Sequence, residues 1–295
     1  MDTDSLKSFI AVAQCQSFSL AASRLHLTQP AVSKRIAALE AHLNHTLFDR
    51  IGREVRLTEA GKLLLPQAET ILQAVADTER NIRELTGEIS GVLRVATSHH
   101  IGLHHLPPLL RQFVLSHPEV NLQFEFLDSE RAHEKVLRGE CEIAVVTLAP
   151  EPVAQLESRI IWPDPLDFVI AKTHELAAHE TVNLQQLSRV DAILPDLTTY
   201  TGRIVKEYFA QQELELTLSM TTNYLETVKV MVSVGLGWSL LPRSMIDGNL
   251  HALPVREVSL HRNLGVINHK KRSLSNAARA FYRLLCDTTQ KTGAI

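Results

Sequence analysis

The sequence predicts a mixed α/β protein in three parts: a helical head with a hairpin, one long helix, and an open α/β body. Three patterns predict it. Residues 1–60 carry short helical periodicities separated by breaks, residues 64–89 carry a regular four-three apolar spacing, and β and α patterns alternate from Gly91 onward. The chain has 295 residues, enough for two or three domains.

In the head, Leu6, Phe9, Ile10 and Ala13 recur on one face of a first helix. Ser19 is expected to cap a second helix that turns Ala21, Ala22 and Leu25 inward. After a break at His26-Leu27, Thr28 suits an N-cap and Pro30 the first helical turn, where its missing N–H costs nothing. The third helix buries Val32, Ile36, Leu39 and Leu43, and it stacks Gln29 on Ser33 and Pro30 on Lys34, four residues apart. Residues 47–50 and 55–57 read as a hairpin turning at Gly52-Arg53.

Positions 64, 68, 71, 75, 78, 82, 85 and 89 are apolar except Thr78, in steps of four and three. That is a coiled-coil seam on a helix over 58–89, with Pro66 near its first turns and a length of roughly 45 Å. A seam with nothing to pack on in its own short stretch implies self-association.

In the body, strands are expected at Val92–Thr97, Val120–Phe126, Ile143–Thr147, Phe168–Ala171, Ala192–Leu194 and Leu264–Asn268. Helices are expected at Leu103–Leu115, Glu130–Leu137, near Gly202–Gln211, at Leu225–Val234 and at Leu274–Cys286. Such alternation puts ligands at the C-terminal ends of the strands. Gly235-Leu236-Gly237 follows a helix and reads as its C-cap.

Composition narrows the function. Hydrophobic residues make up 45% and charged residues 21%, which is ordinary globular material. No apolar run reaches membrane-spanning length, and the acidic start Met1-Asp2-Thr3-Asp4 is unlike a secretory signal. Cys15, Cys141 and Cys286 lie far apart without finger spacing, which points to a reducing cytoplasm and no disulfide framework. Cys141 reads as structural rather than redox-active. The net charge is −3, yet Arg24 to Arg56 holds six basic residues against three acidic ones, a pointer to a polyanion. An enzyme finds no support, since G-x-S-x-G, H-E-x-x-H, P-loop and G-x-G-x-x-G motifs are all missing. Residues 91–295 alone would suit a solute receptor, but the basic head argues against transport.

The stretches Phe18-Ser19-Leu20-Ala21-Ala22-Ser23-Arg24-Leu25 and Leu27-Thr28-Gln29-Pro30-Ala31-Val32-Ser33-Lys34-Arg35-Ile36 resemble the LysR-type transcriptional regulators. Leu39-Glu40, Leu43, Leu47-Phe48-Asp49-Arg50 and Leu57-Thr58-Glu59-Ala60-Gly61 extend the resemblance, which is specific over about 90 residues and a matter of layout beyond. Two mild departures are Asn44 in place of the usual Gly and Thr28 in place of the commoner Ser. Asn tolerates a left-handed turn and Thr caps.

The resemblance implies a winged helix-turn-helix over 1–60, a linker helix for dimerisation over 61–90, and an effector-binding domain over 91–295. It further implies a two-lobed, periplasmic-binding-protein-like effector domain, with lobe I at 91–162 and 267–295 and lobe II at 163–266. A homotetramer on a palindromic double-stranded operator, without a membrane or a cofactor, follows from it too. A helix-turn-helix puts the start of its second helix into the major groove. Thr28, Gln29, Pro30, Ser33 and Lys34 are therefore the expected DNA-facing residues: Gln29 can read adenine, Lys34 can reach guanine or phosphate, and Ser33 allows close approach. Arg50 and Arg53 on the wing would meet the backbone or the minor groove.

For the effector, the turn Thr97-Ser98-His99-His100 starts a helix and offers N–H donors, a hydroxyl and imidazoles to an oxyanion. Ser98, His99, His100, Ser129, Thr147 and Thr199 are the expected contacts, and no Arg clamp is visible in these turns. His99, His100, His104 and His105 form a cluster in which His100 and His104 share a helical face. With no Cys or carboxylate inside the segment, no metal is expected there.

Overall fold

Helix α1 (Thr3–Cys15) begins where the Asp2 carboxylate accepts the Ser5 N–H at 2.8 Å. Helix α2 (Phe18–Arg24) is capped by Ser17, whose hydroxyl accepts the Leu20 N–H, so the cap lies two residues before the expected Ser19. Helix α3 (Gln29–Leu43) starts after Thr28, which has extended backbone but makes no side-chain capping bond. It ends at Asn44 in the left-handed region (φ 54°), the conformation a Gly would otherwise supply. Strands β1 (Phe48–Ile51) and β2 (Glu54–Leu57) pair antiparallel as the wing. Glu40 on α3 accepts the Leu47 N–H at 2.7 Å and so fixes where the wing starts.

The computed structural model describes residues 1–51, 54–83, 87–256 and 258–292. They form two compact units, one built on Met1–Thr86, the other on Gly87–Leu137 and Cys141–Ile295. The first is organised around Phe9, Val12, Val32, Ile36, Leu39 and Leu47, all buried. Each such side chain contributes about 1.5–3 kcal/mol on leaving water.

Helix α4 (Glu59–Arg83) starts at Thr58, whose hydroxyl accepts the Gly61 N–H. Pro66 lies inside the helix, early as expected, where it removes a backbone donor. The seam expectation changes. The first half of the seam is not free: Ala68 is fully buried, and Leu64 and Ile71 pack on the head's own core. Val75 and Ile82 are 38% and 63% exposed. Residues 87–90 have no regular structure, and Ile89 packs on the core of the second unit, so position 89 is not part of the seam. Leu85 lies outside the described residues.

The second unit has a central seven-stranded sheet. Parallel strands β3 (Gly91–Thr97), β4 (Val120–Phe126) and β5 (Ile143–Thr147) lie in the order β5-β3-β4. Strand β6 (Leu156–Ala171) and strand β11 (Leu260–His269) pair antiparallel along their lengths and are shared by two lobes. β11 joins the ladder to β5 already at Leu264, slightly before the expected return to the first lobe. β9 (Ser239–Pro242) and β10 (Leu250–Leu253) extend the far end of β6, and β7 (Ala192–Leu194) pairs β8 (Leu218–Thr221). The expected strand at Phe168–Ala171 is thus the last quarter of a 16-residue strand that runs through Pro163 and Pro165.

Helices cover both faces of each lobe. The expected helix at Leu103–Leu115 is two, α5 (His99–His104) and α6 (Pro107–Ser116), because the pair Pro107-Pro108 cannot continue a helix and must start one. Helix α7 is Ser129–Arg138, α8 Leu184–Leu187, α9 Tyr200–Gln211, α10 Leu225–Ser233 and α11 Asn276–Thr292. Gly202 in the first turn of α9 lies so close to the backbone of Asp196 that an added Cβ would sit 2.2 Å from its carbonyl oxygen. Gly235 follows α10 with φ +89°, the expected helix-ending glycine. Leu93, Val145, Phe113 and Phe281 centre the first lobe, and Phe168, Phe209, Trp238 and Leu240 the second.

Candidate functional site

On the first unit, Thr28, Gln29, Pro30 and Lys34 are exposed at the start of α3, with Ser33 half-buried. The Gln29 Nε2 donates to Ser33 Oγ at 3.2 Å, the four-residue stacking expected of this face. Arg50 lies in β1 with only its backbone described, and Arg53 lies outside the described residues. The three apolar positions on the opposite face, Val32, Ile36 and Leu39, are buried, so packing holds the polar face outward.

In the second unit, one cavity of about 60 Å³ brings together Ser98, His99, His100, Ser129, Thr147 and Thr199 from four different elements and turns. That is space for a few waters or one compact polar molecule. The residues differ in what they have to offer. Ser98 precedes α5 and makes no capping bond. Ser129 Oγ accepts the Thr147 N–H at 3.1 Å, which ties α7 to the end of β5. The Thr199 hydroxyl is already engaged: it donates to Asp196 O at 2.6 Å and accepts the Gly202 N–H. His99 stacks on Phe126 and meets Tyr224 edge-on.

Three charged lining residues, Arg262, Glu130 and Asp128, were not legible as site residues, nor was Asp164 behind Arg262. Asp164 and Arg262 face each other as cross-strand partners on β6 and β11, and Arg262 lines the cavity. The Arg262 Nε donates to Asp164 Oδ2 at 2.7 Å and Nη1 donates to Thr201 Oγ1 at 2.8 Å, with both charges buried. An arginine therefore does serve this cavity, from strand β11 and not from the turns that were read. Glu130 on α7 accepts the Tyr200 N–H, seating a carboxylate at the start of α9. Burial raises its pKa above the ordinary glutamate value. Asp128 accepts from Asn223 Nδ2 at 3.0 Å, a second link between the lobes.

The histidine cluster splits by burial. His100 is buried and its pKa is pushed down to about 2, first by desolvation and then by the neighbouring Arg262, so it is neutral. His105 is lowered too, again mainly by burial, and its ring lies against Trp162. His104 is accessible and hydrogen-bonds Glu226 of α10 at 2.8 Å, from one lobe to the other. The carboxylate missing from the local sequence is supplied here from a distant segment. One nitrogen each of His100 and His104 and one Glu226 oxygen lie within 4.8 Å of one another.

The head, over residues 3–62, matches the model for the bacterial regulatory helix-turn-helix protein, lysR family. Residues 86–290 match the LysR substrate binding domain, well over half of the chain. The chain belongs to the LysR family. Members of this family are transcriptional regulators with a helix-turn-helix and an effector-binding domain, not enzymes. The probable RuBisCO transcriptional regulator of Synechocystis sp. is 31% identical over 95% of this chain and 84% of that protein. An HTH-type transcriptional regulator of Azotobacter vinelandii is 66% identical over 37% of this chain and 75% of its own length. Among solved structures, full-length CbnR complexed with its target DNA has a TM-score of 0.68 at 22% identity, covering 98% of this chain and all of that one. A full-length OxyR variant from Pseudomonas aeruginosa also gives 0.68, at 24% identity, over 98% and 95%. This LysR-type regulator has no helix, among the described residues, long and apolar enough to cross a membrane.

Proposed function

We propose that this regulator reads a palindromic operator through the exposed face of α3 and takes a small polar effector in the cavity between its lobes. Gln29, Ser33 and Lys34 enter the major groove, positioned by Thr28 and Pro30, while Arg50 and Arg53 grip the flanking backbone. Dimers form through the exposed later half of the α4 seam at Val75 and Ile82, and dimers pair into a homotetramer that acts in the cytoplasm. The CbnR–DNA complex, a relative in fold, is in keeping with the DNA reading.

The observation that carries the effector reading is the convergence on one cavity of residues spread over the chain, at the starts of α5, α7 and α9. Helix starts favour negative charge, and the structure already holds a carboxylate at the start of α9, that of Glu130. A compact molecule with a carboxylate or another oxyanion can take that place, beside Arg262 on the cavity wall, whose charge is already paired with Asp164. The Asp128 and Glu130 carboxylates select against a large or doubly charged anion. Binding shifts the lobes, and through them the assembly, only as far as its affinity differs between the two arrangements.

The test is a thermal-shift screen of small carboxylates against the full chain. Hits should stabilise the second unit and lose at least tenfold in affinity in Ser98→Ala, with operator affinity and oligomer size unchanged. Hits that bind Ser98→Ala as tightly as the parent would remove this turn from the site.

A further inference from the structure

We propose that His100, His104 and Glu226 bind a first-row divalent transition ion, with Zn²⁺ as the test case, where the two lobes meet. The reading is separable from the organic effector: His104 and Glu226 do not line that cavity, and only His100 is shared. His100 is the first observation. Both of its ring nitrogens are buried without a hydrogen-bond partner among the described residues, although buried polar groups are normally paired. A bound ion gives one of the two nitrogens a partner.

Geometry is the second. His100 and His104 are four residues apart on α5, with ring centroids 5.0 Å apart. The His104 Nε2 already lies 2.8 Å from Glu226 Oε1, and all three donor atoms lie within 4.8 Å. Zinc bonds of about 2.0–2.1 Å in a tetrahedron put neighbouring ligand atoms roughly 3.3 Å apart. His104 and Glu226 must therefore open by about half an ångström, and His100 must swing inward, changes that side-chain rotation supplies. His105, whose Nε2 is also buried and unpartnered among the described residues, has its ring 5.4 Å from that of His100 but stands outside the three-donor group.

The chemistry of the donors is the third. Two imidazoles and one carboxylate match zinc, nickel or cobalt, whereas magnesium and calcium prefer all-oxygen sites. One ligand charge leaves the ion partly compensated, and the nearby Arg262 is itself neutralised by Asp164. Because α5 belongs to one lobe and Glu226 of α10 to the other, an ion here braces the cleft.

Metal-stripped, untagged full-length protein is titrated with ZnCl₂ against a chromophoric chelator, without DNA or effector. The expected result is one tight Zn²⁺ per chain, unaffected by millimolar Mg²⁺. Glu226→Gln and His104→Gln, both at accessible positions that will not unfold the lobe, should each weaken it at least tenfold. His261→Gln, on an exposed strand position away from the cluster, should leave it unchanged. Co²⁺ in place of Zn²⁺ gives a ligand-field spectrum that Glu226→Gln alters. No stoichiometric Zn²⁺, or equal affinity in the Glu226→Gln and His104→Gln variants, overturns the assignment, and neither outcome bears on carboxylate binding in the cavity.

Discussion

Replacing Asp164 by Ala should destabilise the second unit by about 3–5 kcal/mol, the usual result of leaving one partner of a buried ion pair uncompensated. Asp164 and Arg262 meet at 2.7 Å, both almost fully buried. At that distance, and an effective dielectric near 20, their attraction is on the order of 6 kcal/mol. Desolvation of two ions offsets most of that while both are present. Removing one carboxylate leaves the guanidinium its hydrogen bond to Thr201 but no counter-charge. Trp162 and Trp238 are the only tryptophans and both lie in the second unit, so their fluorescence during urea unfolding reports that unit alone. The urea midpoint should fall with little change in slope. A double variant, Asp164→Leu with Arg262→Met, should recover most of the loss. If Asp164→Ala costs less than about 1 kcal/mol, the pair is well hydrated and the reasoning from burial fails.

Gln29→Ala should cost about 1–3 kcal/mol on the specific operator only, whereas Arg53→Ala should weaken all sequences alike and reduce the salt slope by about one; equal effects on operator and random DNA would dismiss that division of roles. Val75→Asp with Ile82→Asp should abolish the dimer in sedimentation velocity while the head stays folded, because neither side chain is needed by the head's core; an unchanged sedimentation coefficient would mean that the seam does not pair. Acid should destabilise the second unit through His100. The unfolded chain takes up a proton near pH 6.5 and the folded one only near 2, so this contribution is intact above about pH 6.5 and is lost as pH falls. The slope from His100 approaches 1.4 kcal/mol per pH unit below that point, and His100→Asn should flatten it in fluorescence-monitored unfolding; a wild-type slope in the variant would assign the acid sensitivity elsewhere.

The sequence by itself determined what depends on near neighbours. Apolar spacing places α1 to α3, the wing and most of the body strands, although α2 is capped by Ser17 and not by Ser19. The run from Thr28 to Lys34 displays its polar face because Val32, Ile36 and Leu39 bury the opposite one. The same local reading located the hydroxyls around the cavity, since each sits at the end of a strand or the start of a helix. It erred where the neighbours were remote. Half of the α4 seam packs on the head, which periodicity cannot distinguish from pairing with a second chain. The Pro107-Pro108 break follows from the prolines themselves and was a local signal passed over, whereas the long β6 through two prolines was decided by packing around it. Above all, tertiary structure decided the charges of the cleft. Arg262 reaches Asp164 only through the register of β6 and β11, and Glu226 reaches His104 only because α10 lies opposite α5. Electrostatic energy depends on distance and burial, and a linear sequence encodes neither until the chain has folded.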